Sequence, residues 1–229
     1  GNKPIFVIDA EWHGEHQTSK NSYLRTIQFT DKAGFAVCVV LCACGGEPVF
    51  FPSKESAVKQ LLYLFSPDGD YRPRIAGHQF RADLPWIKQH LSEELYSVLL
   101  AGFKPAESSV QMRYGGGIDT MLMVHAIRET GYYDRFKLEY VCQAVLGVER
   151  WNIQLEKWKT SIFKQHNIKI KELEGYGECP DEILHPYSCA DVDFPRELID
   201  VAFAPGGLLD SDEYGNNCWD AFYSSMLSA

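Results

Sequence analysis

The run Ile5-Phe6-Val7-Ile8 ends in Asp9-Ala10-Glu11, and this junction constrains the chain more than any other stretch. Four consecutive β-favouring apolar residues read as a strand. Residues i and i+2 of a strand point to the same face, so Asp9 and Glu11 emerge from it side by side. Two carboxylates so placed repel one another, and burying them without a neutralising cation costs several kcal/mol. Either the strand end is solvated, or the pair holds a hard divalent cation such as Mg2+, which takes oxygen ligands and often completes its shell with substrate phosphates.

Around this junction the pattern is strand-rich, then mixed. Tyr23 to Phe29 and Phe35 to Ala43 are further candidate strands, punctuated by Gly34 and Gly45-Gly46. Their close spacing predicts an antiparallel meander whose central strand is buried on both faces. Val58, Leu61, Leu62 and Phe65 fall on one side of a helix from Lys54 to Phe65. A short strand at Arg74-Ile75-Ala76-Gly77 then leads into helices at Leu84 to Leu91 and Ser92 to Leu100. Lys104 to Gly117 reads as a loop, Asp119 as the cap of a helix running to about Glu129, and Lys137 to Leu146 as a helix closed by Gly147. Glu178 to Leu184 leads into a last helix around Tyr187 to Val201. Strands first and helices interspersed with strands afterwards predict one α/β domain built on a mixed β-sheet flanked by α-helices. That domain is expected to occupy residues 1–205, with 206–229 an acidic extension leading to a neighbouring domain.

Charge narrows the possible partners. Lys and Arg total 22 against 31 Asp and Glu, a net of −9, so the chain cannot coat nucleic acid by bulk electrostatics. It would need a local basic patch or metal ions. No stretch has the roughly 20 apolar residues of a membrane-spanning helix, and the start shows no signal-peptide pattern. Seven cysteines without a paired framework suit a reducing compartment. The expected location is therefore cytoplasmic or nucleoid-associated, not secreted and without a membrane partner. Cys42 and Cys44 read as buried strand thiols. Gly1 in place of Met suggests a piece of something longer.

Two further segments carry acids in suggestive places. Asp83, in Gly77-His78-Gln79-Phe80-Arg81-Ala82-Asp83, follows a strand and opens a helix, where capping is the usual role of an Asp. In Tyr187-Ser188-Cys189-Ala190-Asp191 the phenol and the carboxylate are i and i+4, stacked on one helix face. Asp193 is a rival to Asp191 but lies six positions from Tyr187, on a different face. Glycine-rich phosphate loops, dinucleotide fingerprints and the Gly-x-Ser-x-Gly elbow are all missing from the sequence, which argues against NTPase, Rossmann and serine-hydrolase readings.

Taken in order, the three acidic segments resemble the DEDD 3'-5' exonucleases of the ribonuclease-H-like superfamily, tyrosine subtype. They are most similar to the proofreading domain of family A DNA polymerases. Asp9 and Glu11 match the Asp-x-Glu of the first motif, Asp83 the end of the second, and Tyr187 and Asp191 the Tyr-x-x-x-Asp of the third. The chain departs from the pattern at Gln79, where the family usually has Asn, and at Ala82, where it usually has Phe or Tyr.

The resemblance implies a ribonuclease-H-like fold and phosphodiester hydrolysis with two Mg2+ or Mn2+ ions, one lowering the pKa of the attacking water and the other stabilising the leaving oxygen. It implies that Asp9 bridges both ions, that Glu11 and Asp191 complete the first shell, that Asp83 holds the second ion, and that Tyr187 orients the water. The implied substrate is the 3' end of single-stranded DNA, with a covalently linked polymerase domain as a possible partner. An RNA-trimming exonuclease of the ribonuclease D type and a non-catalytic nucleic-acid-binding module are the alternatives.

At the substrate end, Arg150, Lys157, Lys159, Lys164, Lys169 and Lys171 stand against the single acid Glu156, with Trp151, Trp158 and Phe163 between them. Such a segment can follow a phosphate backbone and stack bases. It can equally be a solvated helix with its aromatics packed inward, and the Leu155, Trp158, Ile162 spacing favours packing for Trp158. The nucleic-acid contacts expected from sequence are Trp12, His78, Gln79, Arg150, Lys157 and Lys159.

Overall fold

The computed structural model describes residues 4–49, 53–66, 73–103, 117–127, 137–166 and 175–204. Five strands form one sheet: β1 (Ile5–His13), β2 (Tyr23–Thr30), β3 (Val37–Val40), β4 (Arg74–Gly77) and β5 (Ile118–Asp119). Their order is β3-β2-β1-β4-β5. The meander β1-β2-β3 is antiparallel, while β4 and β5 continue the sheet parallel to β1. Seven helices among the described residues cover the sheet: α1 (Lys54–Phe65), α2 (Leu84–His90), α3 (Glu93–Phe103), α4 (Thr120–Ile127), α5 (Leu138–Leu146), α6 (Ile153–His166) and α7 (Asp181–Phe203). The mixed α/β sheet expected from sequence is thus the observed fold. No described helix is long and apolar enough to cross a membrane.

The alternation of β1 divides the core into two. Phe6, Ile8 and Ala10 face Leu61, Phe65, Ile87, Leu95 and Leu99 on one side of the sheet. Val7 faces Ala76, Ile118, Val124, Val141, Val192 and Ile199 on the other. Asp9 and Glu11 share the parity of Val7, so they continue the second face just beyond its last apolar contact. Helix ends follow local chemistry. Ser53 Oγ accepts from the Ser56 amide at 3.2 Å and caps α1. Ser92 Oγ accepts from the Leu95 amide at the start of α3, also at 3.2 Å. Gly147, at φ 71, ends α5 in the left-handed conformation that glycine adopts without cost.

Several boundaries differ from the sequence reading. The third strand keeps only Val37–Val40; beyond it the chain turns, leaving Cys42 buried but Cys44 exposed, so the expectation of two buried strand thiols holds for one of them. The two-residue β5 is too short for a periodicity to reveal. Helix α7 begins at Asp181, not near Tyr187, with Asp181 and Glu182 in its first turn favoured by the helix dipole. Pro186 and Pro195 both lie inside it: each withdraws one donor from the helix ladder and its ring crowds the carbonyl four residues back. The expected loop at 104–116, the lysines at 169 and 171, and the extension 206–229 lie outside the described residues.

Candidate active site

The carboxyl ends of the parallel strands β1, β4 and β5 converge, the usual place for a ligand in an open α/β sheet. Asp9 and Glu11 come from β1, and α7 crosses that face of the sheet. Oxygens of Asp9, Glu11 and Asp191 lie within 4.8 Å of one another. Glu11 and Asp83 are each only 4% exposed. Asp83 is outside the trio but close enough for its charge and that of Asp9 to act on each other. It occupies the N-cap position of α2, yet its side chain makes no capping bond. The capping role that sequence suggested is therefore not what holds it. Asp193 faces away and accepts from the Gly34 amide at 2.7 Å, leaving Asp191 as the helix's contribution.

The electrostatics match this crowding. Burial, opposed in part by a hydrogen bond from Gln28, raises the Asp9 carboxyl from an ordinary 3.8 to about 7. Glu11 is pushed well up by burial and then by the charges of Asp9, Asp191 and Asp83. Asp83 and Asp191 are raised by burial and by Asp9. A cluster of buried acids that raise one another's pKa, all with hard oxygen donors, fits divalent cations of the Mg2+ or Mn2+ kind.

Asp9 and Asp191 each have a side-chain holder, Gln28 and Trp151, whose roles escaped sequence reading. Gln28 Nε2 donates to Asp9 Oδ2 at 2.6 Å. Gln28 is the β2 residue in register with Asp9, a pairing visible only once the strands are aligned. Trp151 Nε1 donates to Asp191 Oδ1 at 2.7 Å, and its ring packs on Phe194. Sequence had suggested base stacking for it. Tyr187 donates to Asp191 and is hydrogen-bonded to Tyr176. Burial and the neighbouring carboxylates hold the Tyr187 phenol well above its ordinary pKa, so it keeps its proton and acts as a hydrogen-bond donor.

Tyr176 reaches the site because its segment is stitched to the end of β1. Its amide donates to Trp12 O at 2.8 Å. The preceding Gly175, at φ +84, brings its Cα so close to the same carbonyl that a Cβ would lie 2.3 Å from it. Only glycine fits that backbone.

A cleft of about 380 Å³ opens above the acids, lined by Asp9, His78, Gln79, Met121, Lys137, Leu138, Glu139, Tyr187 and Asp191. Lys137 and Glu139 had not been singled out from sequence. Asn152 Nδ2 donates to Glu139 at 2.8 Å. His78 is hydrogen-bonded to Thr120 at 3.0 Å. Gln79 sits at φ 60, the one non-glycine positive φ among the described residues. Asn is enriched in that conformation, which gives the family's usual Asn here a physical motive that Gln79 lacks. The Gln79 amide donates to Asp119 Oδ1 at 3.1 Å, and the same oxygen caps α4 through the Met121 amide at 3.0 Å.

The other expected contacts scatter. Trp12 has the parity of Ala10, opposite to the acids, and stacks on Trp86 with ring centroids 5.0 Å apart. It is placed in the packing beneath the sheet and away from the cleft. Trp158 is buried with Leu155, Cys179 and Leu184. Lys159 leans over Tyr176 at 5.2 Å and its charge reaches Glu11. Arg150 and Lys157 lie on a different surface, with Lys164.

The Trp151 contact leads to a first expectation. Trp151→Phe keeps the ring and removes the N–H. Loss of a partner that orients a ligating carboxylate weakens metal affinity or activity by about 10- to 100-fold. A Mn2+ titration by calorimetry reads this directly; unchanged affinity and turnover would show that the bond is incidental.

Comparison with known proteins agrees with the geometry. Residues 1–200 match the family model described as 3'-5' exonuclease. Among solved structures, Brucella melitensis NrnC bound to pGG has a TM-score of 0.51 at 15% identity, over 96% of this chain and 80% of that one. A second structure of the same protein gives 0.50 at 14%, over 99% and 85%. The Trypanosoma brucei RNase D complex with RNA U12 gives 0.44 at 14%, over 96% and 63%. No curated protein matches the chain.

Proposed function

This chain belongs to the 3'-5' exonuclease family, and from that premise we propose that it trims single-stranded RNA from its 3' end, one nucleotide at a time. The observation that carries the chemistry is the meeting of Asp9, Glu11 and Asp191 within 4.8 Å, with Asp83 beside them. These residues would hold two divalent cations. When bound, such ions supply an activated water and stabilise the leaving oxygen.

The remaining tasks fall to the chain's own groups. Gln28 and Trp151 fix the carboxylates of Asp9 and Asp191. Tyr187, kept protonated, turns its one O–H from Asp191 to the attacking water and orients it. Lys137, at the cleft wall, offers a cation to the scissile phosphate. His78 and Gln79, on the rim after β4, can reach the terminal sugar. The water oxygen bonds to phosphorus as the bond to the upstream 3' oxygen breaks. That oxygen takes up a proton, giving a 5'-mononucleotide and a strand one residue shorter.

The preference for RNA takes its lead from NrnC, solved bound to pGG. Single-stranded DNA is the second reading, favoured by the likeness of all three motifs to polymerase proofreading domains. In that reading the acidic extension at 206–229 leads to a polymerase domain. Sequence-matched RNA and DNA oligonucleotides with 5' labels, incubated with Mn2+, distinguish the two. The expected result is a ladder of shortened RNA at a rate at least about tenfold above DNA, since sites that hydrogen-bond a hydroxyl discriminate strongly against its loss. Faster DNA shortening overturns the RNA reading and supports the second. Neither strand shortening would remove the exonuclease assignment itself.

A further inference from the structure

Helix α6 presents two unlike faces. Leu155 and Trp158 are buried against Cys179 and Leu184, and Lys159 is turned toward Tyr176 and the acids. On the outer side Ile153, Lys157, Thr160, Ser161 and Lys164 stand at i, i+4, i+7, i+8 and i+11, one continuous stripe. With Arg150 they line a groove of about 430 Å³. A stripe at that spacing is ordinarily the apolar face of a helix. Here it carries two lysines and two hydroxyls on an exposed surface, with Arg150 at the groove as a third cation.

Three features point to a polyanion as its occupant. Arg150, Lys157 and Lys164 form no ion pair among the described residues, and the one acid on the groove, Glu156, is already paired with Lys159 at 3.3 Å. The chain as a whole carries −9, so this is a local reversal of sign. The groove is also tied to the acids through the chain: Arg150 is the neighbour of Trp151, whose indole holds Asp191. Lys157 and Lys164 are seven residues apart, about 10 Å along the helix axis, too far for one phosphate and suited to successive phosphates of a strand.

We propose that this groove holds the phosphate backbone of the substrate on the 5' side of its terminal nucleotides, as a site separate from the catalytic cleft. The proposal rests on the exonuclease reading given above and adds a property to it. Long strands are gripped at two places and dinucleotides at one, so affinity rises with length and the excess is salt-sensitive.

The test uses the full chain carrying Asp9→Asn, which prevents cleavage during measurement, with and without Lys157→Gln and Lys164→Gln. Binding of fluorescein-labelled RNA of two and of about ten nucleotides is followed by anisotropy across a range of salt. Each phosphate neutralised contributes about 0.7 to the salt slope for a single strand. The paired lysine change should therefore lower the slope for the longer strand by about 1.4 and weaken it about tenfold, and should narrow the gap between the two lengths. An unchanged slope for the longer strand, or equal weakening of both lengths, overturns the groove as a separate site. Failure of the exonuclease reading is distinguishable: the protein with Asp9 intact would then shorten neither strand, whatever the lysines do to binding.

Discussion

Asp9→Asn should reduce exonuclease turnover by on the order of a thousandfold while making the metal-free protein more stable. The first half follows from the ions that the acids would hold, which contribute several kcal/mol at the transition state; each 1.4 kcal/mol is roughly a factor of ten. The second half follows from the neighbours. Without cations, Asp9 shares its space with Glu11, Asp83 and Asp191, and Tyr187, Tyr176 and Gln28 face the same cluster. Removing one charge relieves the repulsion on all the rest, while an Asn side chain remains able to bond Gln28.

The sign of the pH dependence follows. Asp9 ionises near 3.8 ordinarily and near 7 in the fold, so the unfolded chain releases its proton first. Stability of the metal-free protein is therefore fully present below about pH 4 and is lost progressively as pH rises to about 7. Glu11, Asp83 and Asp191 are raised too and add to the same trend. Denaturant melts in a chelator across that range should show a decline in the wild type and a shallower one in the variant. A variant less stable than wild type throughout, or one that still cleaves, would falsify the placement of Asp9 in a strained acidic cluster.

Arg25→Met carries the other large effect, a loss of roughly 3–5 kcal/mol, the range for breaking a buried charge network on one side. Arg25 is fully buried. One guanidinium nitrogen donates to the carbonyls of Tyr176 at 2.7 Å, Gly177 at 3.2 Å and Cys179 at 2.7 Å, and another to the Asp181 carboxylate. This single side chain on β2 thus fastens the turn that delivers Tyr176 to the site and starts α7. Methionine fills much of the volume but leaves the Cys179 carbonyl without its donor, while those of Tyr176 and Gly177 keep only the amides of Cys179 and Gly45. Asp181→Asn is the control: that carboxylate is 38% exposed, and its change should cost less, because solvent screens it. Urea melts of both variants decide the matter. Equal losses would mean that the carboxylate, not the carbonyls, is what Arg25 serves.

The acids themselves were legible in the sequence because their spacing encodes geometry. Asp9 and Glu11 share a strand face by parity, and Tyr187 and Asp191 a helix face by periodicity, with no tertiary knowledge needed. Parity also bore on Trp12, which shares Ala10's side of the strand and not that of Asp9 and Glu11, although sequence reading placed it with the nucleic-acid contacts. The supporting groups were not legible. Gln28 is defined by strand register, Trp151 by how α6 docks on α7, and Arg25 by a turn some 150 residues away. The two-residue β5 takes its identity from hydrogen bonds to β4, which no local pattern carries. The same holds for the start of α7, where a proline that usually marks a helix end lies inside the helix.

Pro195 gives that helix one more property. It cannot donate to the Asp191 carbonyl, so the backbone ladder of α7 lacks a rung at the residue that brings the third acid to the site. Glu11 and Asp9, by contrast, sit on a strand whose ladder to β2 runs through both of them. Compliance is thereby concentrated in one of three converging groups: two acids form a fixed anvil, and the third can settle against whatever is placed between them.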